Sequence, residues 1–378
     1  MIHKISWIVV SIIYILITGC NSSQKGKVKE QPNTSINVSD RILFVKRSGS
    51  AYLRGKQYGI AAKEEIKGQL KVWSDLCEEE IELTQEELFD LLNEKTGFIK
   101  AIQQYAPDLL EEINGMADGA EVSANDLLCL NLAEETIIYF AKDYEKCTNI
   151  GLKGEKKNII AYNLDLPEFL RKYKPVILQD SSQFIYAFPG IIATGGMNKN
   201  FTVTTNSLPD LNMDLNGLPL PFFIRKMLQF SDEQKAINFL QSTPLGSPQN
   251  LMIVGRQGVY NFECSANQIA QYENPKNSQI LYHTNHAIVN TDIRGSSEDL
   301  NCTRFNYLDK TFGQNGITTI SMATVKQAIS DEDSEIRYDG NYFSFIGWYP
   351  KNKTQPPYLE ILIPQSDNST ILSFKEDN

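Results

Sequence analysis

The spacing of apolar residues changes near residue 147, and this change constrains the fold more than any other feature of the chain. Ahead of it, after a short strand over Ile42–Lys46, four stretches carry helical spacing: Tyr52 to Glu79, Thr84 to Gly97, Phe98 to Gly119 and Asn125 to Phe140. In the third, Ile102, Tyr105, Leu109, Ile113 and Met116 recur every three or four residues, as one buried helix face requires. Thr84 with Glu87 three residues on has the pattern of a capping box. Behind residue 147 the pattern is short strands and tight turns: Ile159–Tyr162, Val176–Gln179, Phe184–Ala187 and Thr202–Thr205. Helices are expected over Leu220–Phe230 and Asp232–Gln241, the second capped by Ser231. A hairpin turns at Arg256-Gln257-Gly258, a strand covers Ile280–His283, helices cover 300–311 and 323–329, and Tyr358–Ile363 pairs with Thr370–Phe374. Helices first, then strands interrupted by helices, imply a layered α+β sandwich.

The N-terminal segment reads as a separate module. Lys4 precedes a mostly apolar run from Ile5 to Ile17, and Thr18-Gly19-Cys20 closes it, which is the layout of an export signal over 1–19. The run is short for a membrane span. A cysteine directly after small residues resembles the lipobox of bacterial lipoproteins, so Cys20 is the expected lipid anchor and mature start, with a plain secretory signal as the alternative. Asn21 in place of an aspartate favours the outer membrane of the cell envelope. Residues 20–40 are polar and read as a flexible tether, leaving 41–378 as one domain. A net charge of −10 argues against a nucleic-acid partner, and no Gly-rich loop opens a helix as nucleotide binding would need. No cofactor is implied. Cys77, Cys129, Cys264 and Cys302 form no C-x-x-C pair and read as structural.

The chemistry concentrates at the change of pattern. Cys147 and Asp165 stand at the outer ends of two β-type runs joined by a Gly/Lys-rich turn, so a hairpin brings them together. Histidine is scarce: outside the signal there are His283 and His286 in His283-Thr284-Asn285-His286. No Gly-x-Ser-x-Gly elbow and no H-E-x-x-H helix is present. Scarcity of bases points to a nucleophile that carries its own. A cut between Lys146 and Cys147 would place a thiol beside a free α-amine that can take its proton. Asn206, Asn250 and Asn285, at expected strand ends, are candidates for an oxyanion hole. Two rival readings are a Cys-His hydrolase using His283 or His286 without a cut, and a ligand-binding lipoprotein with no catalysis.

Seven segments in order resemble the isopenicillin N acyltransferase-like family of the N-terminal-nucleophile hydrolases. They are Arg54-Gly55-Lys56-Gln57-Tyr58-Gly59, Leu110 to Ala117, Leu130-Asn131 through Glu135, Cys147-Thr148 with Asn163-Leu164-Asp165, Gly196-Met197-Asn198 with Asn206-Ser207-Leu208 and Gly217-Leu218-Pro219, the His283–His286 stretch, and Arg304. The resemblance implies a four-layer αββα sandwich made as a precursor and cut into 41–146 and 147–378. It implies Cys147 as nucleophile, Asp165 orienting its amine, and Asn285 in the oxyanion hole. Glu135 and Asn206 are implied as support, and Arg304 as support or a structural ion-pair partner. The substrate implied is a small linear amide, opened through an acyl-thioester that passes to water or to a second amine. Leu166-Pro167 stands where the family often has an aromatic residue, and Gln355 near a family arginine, so the pocket wall differs.

Overall fold

The computed structural model describes residues 36–39, 41–140, 146–166, 168–295, 302–313, 320–330, 336, 340–362 and 369–374. The expected signal and Cys20 lie outside these residues. Asn33–Asn378 forms one compact unit. Ile36–Ser39, which the sequence reading puts in the tether, is strand β1 and pairs antiparallel with β2 (Ile42–Lys46).

The helical half contains α1 (Ala51–Ala61), α2 (Lys63–Leu76), α3 (Gln85–Lys95), α4 (Phe98–Tyr105), α5 (Pro107–Ala120), α6 (Ala124–Leu130) and α7 (Ala133–Tyr139). The capping box at Thr84 is present: its side chain accepts from Glu87 N, and the Glu87 carboxylate accepts from Thr84 N. The single helix expected over Phe98–Gly119 is two, because Pro107 has no N–H and sits at the first turn of α5, with Ala106 in a non-helical conformation. The glycines of the Arg54–Gly59 and Leu110–Ala117 segments have one purpose. Gly55 of α1 and Gly115 of α5 let the two backbones touch; a Cβ on Gly55 would lie 1.9 Å from Glu112 O, and one on Gly115 2.0 Å from Tyr52 O.

Then follow β3 (Lys146–Lys153), β4 (Lys157–Asp165), β5 (Val176–Gln179), β6 (Gln183–Ala187), β7 (Gly195–Asn198), β8 (Phe201–Ser207), α8 (Leu220–Met227) and α9 (Glu233–Ser242). Asp232, not Ser231, caps α9: its carboxylate accepts from Lys235 N at 2.9 Å. The chain continues through β9 (Gln249–Gly255), β10 (Val259–Cys264), β11 (Ile269–Gln271), β12 (Ile280–His283), α10 (Thr303–Phe312), α11 (Met322–Ile329), β13 (Asn341–Pro350), β14 (Tyr358–Leu362) and β15 (Ser369–Ser373).

Two sheets form, in the orders β1-β2-β5-β6-β7-β8-β9-β10-β11 and β12-β3-β4-β13-β14-β15. Side-chain parity shows how they stack. On β4, Ile160, Tyr162 and Leu164 join the core shared with Val203, Ile253 and Tyr186 of the larger sheet. Ile159 and Ala161 point the other way, into a second core with Leu308, Phe312, Val325 and Ile329 of α10 and α11. Helices α1, α8 and α9 lie against β2, β7 and β9 of the larger sheet. The result is the four-layer αββα sandwich. Its inner strands are buried on both faces, so they read as apolar runs rather than alternating ones. That explains why the sequence reading places no strand at β13, whose Asn-Tyr-Phe-Ser-Phe-Ile-Gly-Trp-Tyr-Pro mixes aromatics with Gly347 and Pro350.

Candidate active site

The β3–β4 hairpin forms where expected. Its register pairs Cys147 with Leu164 and Lys146 with Asp165. Alternation along β3 turns Cys147, Asn149 and Gly151 toward the larger sheet and Thr148, Ile150 and Leu152 toward α10 and α11. Cys147 is 1% exposed, at the seam between the sheets. Tyr162 Oη lies 3.5 Å from its Sγ and donates its proton to Thr205 O at 3.0 Å. A phenol has one proton to give, so the thiol faces the phenol's lone pairs.

The groups around the Cys147 peptide come from the far end of the chain. Cys147 N–H donates to Asn285 Oδ1 at 2.8 Å. Arg304, at the start of α10, donates to Cys147 O, to Thr148 Oγ1 at 3.0 Å and to Asn285 Oδ1 at 3.0 Å. Two donors converge on one Asn285 atom, which identifies that atom as the amide oxygen. Its Nδ2 donates to Ser207 O at 3.2 Å. Asn285 therefore presents an acceptor to the Cys147 nitrogen, and Arg304 ties both to the strand.

The loop carrying Asn285 is held by Glu263 of β10. This buried carboxylate accepts from Ile288 N, Val289 N, Asn290 N and His283 Nε2, all within 2.7–2.9 Å. His283 is thus engaged with Glu263, and its Nδ1 faces Thr284 O. His286 Nδ1 contacts Thr284 Oγ1 at 3.0 Å, and Thr284 Oγ1 also accepts from Cys302 Sγ at 3.4 Å. Both histidines are committed to this loop. The role of Glu263 was absent from the sequence reading, since a lone glutamate on a strand carries no motif.

Asp165 is buried at the end of β4 and accepts from Asn341 Nδ2 at 3.0 Å. Its strand position is opposite Lys146, on the parity that faces away from the larger sheet. Asn206 of β8 faces Asn149 of β3: its Oδ1 accepts from Asn149 Nδ2, which also reaches Asn250 Oδ1 at 3.1 Å, and its Nδ2 donates to Thr284 O. Glu135 of α7 accepts from Leu220 N and Ser247 Oγ, both at 2.8 Å, and so ties α7 to the first residue of α8 and to the loop ahead of β9.

Complete burial raises the Glu135 carboxyl from its usual 4.5 to about 7, with the Leu220 and Ser247 donors opposing the shift. The folded chain therefore holds this proton where the unfolded chain has released it. The associated stability is fully present below the unfolded pKa and is lost as pH rises toward 7. Glu135→Gln keeps an acceptor oxygen and removes the titration. Urea unfolding across this window is expected to find the wild type losing about 2–3 kcal/mol relative to the variant; parallel profiles would contradict it.

Cys77, Cys129, Cys264 and Cys302 are free thiols. Burial pushes Cys77 and Cys129 up to about 12 and Cys264 further up. Cys302 differs from these in its surroundings: half-buried and hydrogen-bonded to His286 and Thr284, its thiol is lowered to about 6 against its desolvation. An apolar cleft lined by Trp73, Leu130, Ile137, Phe188, Ile191 and Leu220 reaches Thr205, the residue whose carbonyl holds Tyr162.

A family model described as acyl-coenzyme A:6-aminopenicillanic acid acyl-transferase matches residues 153–329, a span that contains Asp165, Asn206, Asn285 and Arg304. The 40 kDa form of acyl-coenzyme A:6-aminopenicillanic-acid-acyltransferase from Emericella nidulans is 26% identical over 255 residues, covering 66% of this chain and 70% of the relative. Among solved structures, a mutant of conjugated bile acid hydrolase from Clostridium perfringens aligns with a TM-score of 0.37 and 10% identity, over 61% of this chain and 93% of that one. Anbu from Yersinia bercovieri aligns with a TM-score of 0.27 and 8% identity, over 61% and 87%.

Proposed function

We propose that this chain, which matches the acyl-coenzyme A:6-aminopenicillanic acid acyl-transferase family model over residues 153–329, opens a linear amide through a thioester on Cys147 after cutting itself ahead of that residue. In the cut, Sγ attacks the Lys146 carbonyl carbon, the C–N bond to Cys147 breaks, and the sulfur's proton ends on the nitrogen. Water then hydrolyses the thioester and leaves Cys147 with a free α-amine. In each later turnover that amine takes the thiol proton, Sγ attacks the substrate carbonyl, and the amine half departs with the proton. Water, or a second amine, releases the acyl group.

The observation that carries this reading is the contact of Cys147 N–H with Asn285 Oδ1 at 2.8 Å, locked by Arg304. An acceptor already aimed at that nitrogen would hold the new amine with its lone pair toward its own sulfur. Asp165, across the strand from Lys146, orients the amine from the other side. Asn285 is expected in the oxyanion hole; its Oδ1 faces the Cys147 nitrogen and Ser207 O takes only one of its two Nδ2 protons, so we assign it to positioning the amine while its second amide proton serves the oxyanion. Burial of Sγ also supports a cut, because removing the Lys146 peptide is a way to open access to a 1%-exposed thiol. The apolar cleft beside Thr205 suits an apolar acyl group.

The same proposal anchors the mature chain to the bacterial cell envelope through lipid on Cys20, on the strength of the Ile5–Ile17 run ending in Gly19-Cys20. No helix among the described residues is long and apolar enough to cross a membrane. An exported site meets little acyl-CoA, which favours water as the acceptor. Intact mass and terminal sequencing of active protein test the central step. Two chains, one beginning Cys-Thr-Asn-Ile, are expected; a single uncut chain with full amidase activity would refute it.

A further inference from the structure

We propose that the cleft between the start of α1 and the β5–β6 turn is a binding site for a small oxyanion of the phosphate class, separate from the Cys147 chemistry. Its walls include Ser48, Gly49, Arg54, Ser181, Ser182 and Arg225.

The argument begins with a charge imbalance. Arg47 of the loop after β2, Arg54 of α1 and Arg225 of α8 all converge on one carboxylate, Glu112 of α5. Arg47 donates to Glu112 Oε1 at 2.5 Å, while Arg225 at 2.7 Å and Arg54 at 3.5 Å share Oε2. The other carboxylate at the cleft is Asp180, whose Oδ1 accepts from Ser182 N, Ser182 Oγ and Gln183 N. Gln229 also lines the cleft, and the Asp108 it bonds is paired with Lys226. Three guanidinium groups against Glu112 and Asp180 leave one positive charge in a site where Arg47 and Arg225 are almost completely buried. Uncompensated buried charge is costly, so it calls for a counter-ion.

The hydrogen-bond inventory points the same way. Arg47 Nε and Nη2, Arg54 Nε and Arg225 Nε are buried without a partner. Arg54 is the most exposed of the three, at 21%, and its stem forms part of the wall. Gly49 turns the backbone into α1 with φ of 90°, and the first turn of that helix carries no acidic residue, so its positive end is uncompensated too. The Arg54 and Arg225 guanidinium groups, Ser48 and Ser181 and a helix start together line the cleft with donors, while the Ser182 hydroxyl is given to Asp180. That arrangement suits a tetrahedral oxyanion, with several acceptor atoms, better than a carboxylate.

The test uses the full chain and inorganic phosphate, at constant ionic strength maintained with chloride. Phosphate is expected to raise the melting temperature of the wild type in a saturable way, more than acetate does. Arg54→Gln and Ser181→Glu are each expected to weaken this response at least about tenfold, about 1.4 kcal/mol of binding, with amide hydrolysis unchanged. Ser181 is an exposed turn residue, so its variant decides the matter if Arg54→Gln does not fold. A wild type indifferent to phosphate, equal responses to phosphate and chloride, or undiminished responses in the variants would overturn the proposal.

Discussion

Cys147→Ala is expected to give one uncut chain and to lower amide hydrolysis by at least about a thousandfold, since nucleophile and base vanish together. The substitution removes the atom that attacks Lys146, so no α-amine is released. The fold should survive, because the side chain lost is small and the strand keeps its register with β4. Near-wild-type melting together with an uncut mass would separate loss of chemistry from loss of structure. Cys147→Ser is a sharper probe: it keeps the shape, but its hydroxyl is a weaker nucleophile than a thiolate, so cutting should be slow rather than absent. An alanine variant that is still cut before residue 147 would sink the assignment.

Glu112→Gln should cost about 3–5 kcal/mol of stability at neutral pH, since it leaves buried guanidinium groups without their countercharge. Desolvation raises the Glu112 pKa, and Arg225, Arg47 and Arg54 overcome it, holding the carboxyl at about 2. The folded state thus binds this proton less readily than the unfolded chain. The stabilisation is present above the usual 4.5 and is lost as pH falls toward 2. Urea unfolding should therefore find the two proteins converging in acid and furthest apart near neutrality. A cost below about 1 kcal/mol at neutral pH would mean that the arginines are compensated elsewhere.

Both predictions concern residues that local pattern treats unequally. Cys147 is legible as a candidate because a cysteine at a strand start, a hairpin turn and Asp165 form a short-range arrangement, and the register pairs the two runs. Glu112 was legible only as part of a segment, since nothing in Leu110–Ala117 says which of two adjacent glutamates turns inward toward Arg47 and Arg225. Arg304 shows the limit most clearly. It reads as support or an ion-pair partner, and the structure has it donate to Cys147 O, 157 positions away, and to Asn285 Oδ1. Glu263 carried no signal, although it pins the loop that presents Asn285.

By itself the sequence determined the change from helices to strands, the Cys147–Asp165 hairpin and the Thr84 capping box, because these follow from periodicity and backbone chemistry within a few residues of one another. The tertiary structure decided which side of each two-face-buried strand looks at which neighbour, which of several asparagines reaches the Cys147 nitrogen, and where the arginines meet. Those outcomes depend on the stacking of two sheets. Stacking brings together side chains from distant parts of the chain, and no local pattern of apolar residues encodes such a meeting.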